Sequence, residues 1–270
     1  MTECTFIPQG KLAPYIEHFY YSDGNTPPSG LERVLPSGSA QLIINLGADH
    51  FRHFKDDNSA EINSEAAVIV GVNSQYIFLD PRTRISTIGA TFKPGGIQAL
   101  FNCPSIEFLN RAVSLCDVIA ADTVAYRNRL IDATSAREKF RLLGSILLNQ
   151  LNEAYSPNAA VIRAVHLLKN QPAAYSVSKL ADDIGYSRRR FSMLFRQAAG
   201  ITPKKYMRIQ RFQHCLRAIR SHPNPNWPQL ALAYGYYDQA HFNRDFKILA
   251  GLTPTEYFNN QTDEKNHLPA

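Results

Sequence analysis

With 270 residues, of which 44% are hydrophobic and 19% charged, the chain is long enough to bury a sizeable core and to form two domains. It has no run of 18 apolar residues, which excludes a membrane-spanning helix, and its four cysteines (Cys4, Cys103, Cys116, Cys215) include no CxxC pair, which argues against a zinc site or a disulfide framework. The net charge of +6 is unevenly shared. Residues 156–260 carry 15 Lys/Arg against 5 Asp/Glu and residues 1–155 carry 13 against 16, so a basic domain for a polyanion is expected beside a domain with another task.

The opening MTECTFIPQGKLAP has no charged leader followed by an apolar stretch, so no secretory signal is expected and the cysteines read as reduced cytoplasmic thiols. Residues 1–95 then read as strands and turns. VLPSGSAQLIINLG (34–47), AAVIVG (66–71) and RISTIGATF (84–92) are short apolar β-rich runs punctuated by Gly, Pro, Asn and Asp. Short strands at this spacing predict a small β-barrel or sandwich. Short helical pieces follow at 97–101 and 105–111, with another at 121–131. AREKFRLLGSILLNQLNEA (136–154) is a clearer amphipathic helix, its stripe built from Phe140, Leu143, Leu147 and Leu151 and widened by Leu142, Ile146 and Leu148. That stripe has two readings, packing on its own domain or forming the seam of a homodimer.

The basic region contains a repeat. Leu180, Ala181, Gly185 and Tyr186 recur as Leu230, Ala231, Gly235 and Tyr236 at an offset of 50. After one inserted residue, Phe191, Phe195, Gly200, Pro203 and Tyr206 recur as Phe242, Phe246, Gly251, Pro254 and Tyr257 at an offset of 51. Each copy has the layout of a helix-turn-helix. In the first, Ser176 caps a helix to about Ile184, Tyr175 and Leu180 form a hydrophobic staple, Gly185 makes the turn, and Ser187 caps a helix over 188–199. In the second, Asn226 caps a helix with Trp227 and Pro228 in its first turn, Gly235 makes the turn, and Asp238 caps a helix over 239–249. Thr202 caps a connecting helix over 203–220, about 25 Å long at 1.5 Å per residue, which suits two reading helices set in successive major grooves about 34 Å apart.

The exposed N-terminal residues of each second helix are the candidates for base reading: Arg189, Ser192 and Met193 in the first copy, and Gln239, Ala240, Asn243 and Arg244 in the second. Arg matches guanine O6/N7, Gln and Asn match adenine, and Ala suits the thymine methyl, so the second copy carries the richer set. Arg188, Arg190, Lys204, Lys205, Arg208 and Lys247 are candidates for phosphate contact, whereas Arg211 falls beside the apolar stripe and reads as structural.

LADDIGYSRRRFSMLFRQAAGITPKKYMRIQRFQHC and LALAYGYYDQAHFNRDFKILAGLTPTEYF together resemble the double helix-turn-helix domain of AraC/XylS-type transcription regulators. LAPYIEHFYYS (12–22), ERVLPSGSAQLIINLG (32–47), IVGVNSQY (69–76) and IGATFKPGGIQALF (88–101) are similar to the cupin-like sensor domain that precedes this module in many bacterial regulators. The resemblance implies a two-domain α+β protein: a cupin-like sensor over 1–134, a connecting helix and linker over 135–157, and an all-α DNA-binding domain over 158–260. It also implies double-stranded DNA as partner, a small-molecule effector, RNA polymerase if the protein is an activator, and no cofactor or catalysis. Met193 departs from the family, where a polar or basic reader is common. Tyr20, Tyr21, Arg33, Asn45 and Lys93 are the candidates for an effector cavity.

His50 and His53 are spaced HxxH rather than the HxH of metal-binding barrels, which on a strand sends the two rings to opposite faces. GxSxG, GxGxxG and GxxxxGK[ST] are all absent, so neither a serine hydrolase nor a phosphate loop is expected. The rival reading is a cupin-like binding protein or metal-dependent enzyme with secondary DNA binding. RNA as the ligand is disfavoured by paired reading helices, which suit the wide major groove of duplex DNA.

Overall fold

The computed structural model describes residues 2–24, 30–54, 61–262 and 266–269. Its N-terminal half is built on two antiparallel sheets. Strands β1 (Thr2–Phe6), β2 (Ile16–Asp23), β4 (Gln41–Asn45), β7 (Ala67–Val70), β9 (Thr87–Phe92) and β10 (Ala112–Ser114) form one, in the order β1-β2-β9-β4-β7-β10. The other contains β3 (Glu32–Val34), β5 (His50–Phe54), β6 (Ile62–Glu65), β8 (Ile77–Leu79) and β11 (His267–Pro269), in the order β11-β3-β8-β5-β6. Both sheets are open, so the architecture is the sandwich rather than the closed barrel.

Strand β9 shows why the sequence folds this way. It lies between β2 and β4, with Tyr20 and Ile43 registered on Gly89, and all six of its residues are buried. A strand covered on both faces needs small or apolar side chains throughout, and TIGATF supplies them. Any side chain at Gly89 would run into the Tyr20 ring and the Leu42 carbonyl. Asn45, fully buried, organises the turn after β4: its amide donates to the His50 carbonyl at 3.1 Å and to the Thr83 carbonyl, and its oxygen accepts from the Gly47 and Ala48 N–H groups.

Helices follow the strands and continue into the C-terminal half: α1 (Gly96–Phe101), α2 (Thr123–Asp132), α3 (Ala136–Gln150), α4 (Ala159–Asn170), α5 (Val177–Ile184), α6 (Arg188–Ala199), α7 (Pro203–Ser221), α8 (Trp227–Ala233), α9 (Gln239–Ala250) and α10 (Pro254–Asn259). The sequence expectation of a helix over 105–111 gives way to a single 3-10 turn, Ser105–Phe108, followed by β10. Asn110 adopts a left-handed conformation (φ 55°) that ends any helix there. Helix α3 stops at Gln150, short of the expected Ala154.

The α3 stripe belongs to the interior. Phe140, Leu143, Ile146 and Leu147 are buried, and the Phe140 ring stacks on Phe19 of β2 (6.3 Å) and on Phe6 (6.0 Å). These residues are therefore core, and they offer no dimer seam while the chain is folded this way. Leu148 is the stripe member that remains exposed.

The last described segment returns to the first half of the chain. β11 pairs with β3, Leu268 opposite Arg33, and buries Leu268. Gln213 of α7 donates to the Asn266 side chain at 3.0 Å, Leu35 N–H donates to the Asn266 carbonyl, and His267 meets Glu32 at 3.1 Å. One hydrophobic core runs continuously through both halves.

Candidate nucleic-acid interface

The two repeat copies fold as equivalent units. The five caps that the sequence predicts are all formed: Ser176 accepts from Lys179 N–H (3.1 Å), Ser187 from Arg190 N–H (3.3 Å), Thr202 from Lys205 N–H (3.3 Å), Asn226 from Gln229 N–H (3.1 Å) and Asp238 from His241 N–H (2.6 Å). Each such cap is worth about 1 kcal/mol. The cores repeat as well. Phe195 of α6 meets Tyr206 edge-on at 5.4 Å, and their counterparts Phe246 and Tyr257 meet at 5.6 Å. Helix α7 is shared between the units, with Tyr206 on the first side and Phe212 packed on Phe246 at 5.0 Å on the second. Burial pushes the Cys215 thiol inside α7 up to about 12, which makes it a core side chain with no thiolate chemistry near neutrality.

Packing fixes which face of α6 and α9 remains outside. Phe191, Phe195, Phe242, Phe246 and Leu249 are fully buried, so the opposite faces carry the candidate readers. In the first turns of α6, Arg188, Arg189, Arg190 and Met193 are exposed and Ser192 is partly so. In α9, Ala240 and Arg244 are exposed, and Gln239 and Asn243 partly. The Arg190 guanidinium lies 4.9 Å over the Tyr186 ring, a stacking that orients it without neutralising it. Lys204 and Lys205 are exposed in the first turn of α7, and Lys247 is exposed in the last turn of α9.

Arg208 has a structural partner that the sequence expectation does not include. Its Nε donates to Asp245 Oδ1 at 2.6 Å, and Asp245 is a buried carboxylate on α9. The bond joins α7 to α9 through Nε and competes with the phosphate contact expected of Arg208. Arg211 is structural, as expected: it donates to the Gly235 carbonyl at 3.1 Å and lies 5.0 Å over the Tyr236 ring.

Tyr237 is absent from the sequence-derived set. It is the one residue that the second copy has in addition to the first, it directly precedes the Asp238 cap of α9, and it is 86% exposed. The one-residue slip in the repeat is the signal that marks it.

The five candidates for an effector cavity do not converge. The Tyr20 ring packs against Gly89, the Tyr21 hydroxyl donates to Asp23 at 2.9 Å, and the Arg33 guanidinium lies over the rings of Tyr76 and Phe78. Asn45 is occupied by its turn. Lys93 donates to the Ala13 carbonyl at 2.7 Å and borders a crevice shared with Lys169, Phe92, Ile97, Ala198 and Tyr206. Neighbouring strand residues point to opposite faces, which separates Tyr20 from Tyr21. His50 is exposed on β5 and His53 is half-buried, with its nitrogen 3.4 Å from the Ser64 hydroxyl.

Residues 180–260 match a helix-turn-helix domain family, and residues 4–114 match a domain of unknown function (DUF6597). A stretch of 126 residues is 31% identical to XylDLEGF operon transcriptional activator 1 of Pseudomonas putida, covering 45% of this chain and 37% of that protein. The invasion protein InvF of Salmonella typhimurium is 30% identical over 95 residues, 35% of this chain and 43% of that one. The chain thus spans less than half the length of these curated relatives. Among solved structures, unsaturated fatty acid-bound ToxT from Vibrio cholerae aligns with a TM-score of 0.47 at 11% identity, over 89% of this chain and 94% of that one. No helix among the described residues is long and apolar enough to cross a membrane.

Proposed function

Because residues 180–260 form an AraC/XylS-type helix-turn-helix domain, we propose that the whole chain is a sequence-specific transcription regulator that reads two successive major grooves with α6 and α9. One observation carries the reading. Both helices bury their aromatic stripe and leave outside the first turns that hold Arg189, Ser192 and Met193 in one unit and Gln239, Ala240, Asn243 and Arg244 in the other. Those turns are the part of a recognition helix that reaches base edges. Arg244 and Asn243 supply bidentate chemistry toward guanine and adenine, whereas Met193, 52% exposed, offers only apolar contact. The second unit therefore carries most of the hydrogen-bonded discrimination, and the first anchors through Arg188, Arg189 and Arg190.

Residues 158–260 are the proposed DNA-binding domain. Residues 1–134 are the proposed sensor, with Lys93 and its crevice as the candidate point of effector control, and 135–157 connect the two. RNA polymerase is the further partner if the protein activates, and a homodimer would use a surface other than the buried α3 stripe. The deciding experiment is selection of bound DNA from a random pool by the full chain. Enrichment of a site with two half-contacts about 10 base pairs apart supports the reading; a pool that stays random rejects it.

A further inference from the structure

The repeat copies are held at the same place twice. Each recognition helix ends on a glycine in the left-handed region, Gly200 (φ 75°) after α6 and Gly251 (φ 71°) after α9, and these two are equivalent positions of the duplication. Both glycines abut the N-terminal half. A Cβ on Gly200 would stand 2.9 Å from the Ser105 carbonyl oxygen, and one on Gly251 would stand 2.6 Å from the Tyr76 ring. Left-handed geometry already favours glycine at each site, and the close approach gives a second reason for it.

The contact at α6 is also a hydrogen-bonded one. The carbonyls of a helix's last turn lack intrahelical partners. The Ala198 carbonyl is one of them, and it accepts from the Ser105 hydroxyl at 3.0 Å and from Gly95 N–H at 2.8 Å, both across the domain seam. Between the two ends, α7 is seated on the loop before β4: Gln210 donates to the Ser37 carbonyl at 3.3 Å and Gln213 to the Pro36 carbonyl at 2.8 Å. These grips fall on the C-terminal end of a recognition helix or on the shared helix, and a further one joins Lys169 of α4 to Glu17 of β2 at 2.9 Å. The reading turns at the N-terminal ends stay clear.

We propose that Ser105 and Tyr76 are positioning residues that set the distance and angle between the two reading helices, so that the N-terminal half templates the spacing of the DNA site. This rests on the regulator reading above and adds to it. Helix α7 alone joins the units through a rod of 19 residues, about 28 Å long at 1.5 Å per residue, and helices of this length bend gently. Fastening both outer ends to one body closes the frame, so neither unit rotates about α7 independently.

The test uses the full chain, its selected DNA site, and the same site lengthened or shortened by one base pair between the half-contacts. The wild type is expected to lose at least tenfold in affinity on either altered site. A Tyr76→Ala/Ser105→Ala double variant is expected to lose only a fewfold on the original site, with the penalty for the altered spacings falling to about twofold. Tyr76→Phe, which keeps the ring against Gly251, restores the wild-type penalty. A merely structural loss would weaken all three sites in proportion and leave the spacing penalty unchanged, as would an α7 that sets the spacing alone; either result overturns the proposal. Equal wild-type binding to selected and scrambled DNA would instead bring down the regulator reading itself.

Discussion

Arg208 and Asp245 form a bond that neither residue type advertises: the guanidinium Nε reaches the carboxylate at 2.6 Å, fastening the shared helix α7 to the second recognition helix. Removing one member of a largely buried pair leaves the other charge uncompensated, which costs about 3 kcal/mol. Arg208→Ala is therefore expected to lower the thermal midpoint by several degrees. The slope of log affinity against log salt should stay at the wild-type value, because no phosphate contact is lost. A reduced slope with an unchanged midpoint would return Arg208 to the DNA surface.

Lys204 is the contrasting case. It is exposed in the first turn of α7. Lys204→Ala is expected to weaken all duplex sequences alike and to reduce the salt slope by about 1. A loss confined to the selected site would assign it to base reading.

Arg244→Ala should show the reverse pattern: a loss of about 1–3 kcal/mol on the selected site, relaxed preference at one base pair, and little change on scrambled DNA. Competition binding against single-base variants of the site measures this directly, and an equal loss on every sequence would remove Arg244 from the readers.

Leu147 and Leu148 separate core from surface on α3. Leu147 is 1% exposed, so Leu147→Asp buries an unpaired carboxylate and is expected to abolish folding whatever the state of association. Leu148, on the outer face, should tolerate Asp with a normal melting curve. Sedimentation of Leu148→Asp then tests association through that face: a dimeric wild type and a monomeric variant would place a seam there.

Glu32 ties β3 to β11 through His267 and Arg84. Burial alone would raise its carboxyl, but the His267 and Arg84 contacts more than offset this and hold it below the usual carboxylate value. A depressed carboxylate contributes its full stability above the unfolded value of about 4.3 and loses it as pH falls through the lower folded value. The Glu32→Gln variant should be less stable than wild type at neutral pH, with the difference shrinking in acid; a difference that is constant with pH would remove Glu32 from the acid transition.

The helical half is legible because its rules are local. The caps at Ser176, Ser187, Thr202, Asn226 and Asp238 and the duplicated Phe and Tyr positions each act within one turn, and the structure follows them to within a residue or two. The β half is less legible. Strands such as Glu32–Val34 and Ile77–Leu79 are three residues long and take their register from partners distant in sequence, Glu32 from Leu79 and Phe78 from Phe54. Helix α4 breaks no rule, yet it is missing from the sequence reading because its neighbour, the Ser156-Pro157-Asn158 break, reads as linker. The effector candidates lie scattered for a different reason. Polar residue type says that a side chain has work to do, and Asn45 and Arg33 turn out to do that work inside the fold. Nothing local marks Gly200 and Gly251 as docking points, because a helix C-cap alone explains both.

The return of β11 to β3 changes the mechanics of the whole chain. The reading half leaves the N-terminal body after α3 and rejoins it at His267, so it is a loop anchored at both feet rather than a head on a single stalk. A loop with two feet cannot swing outward about one hinge; large displacement requires a strand to unzip as well. Its excursions are expected to be small, because displacement at one foot is opposed by the pairing at the other.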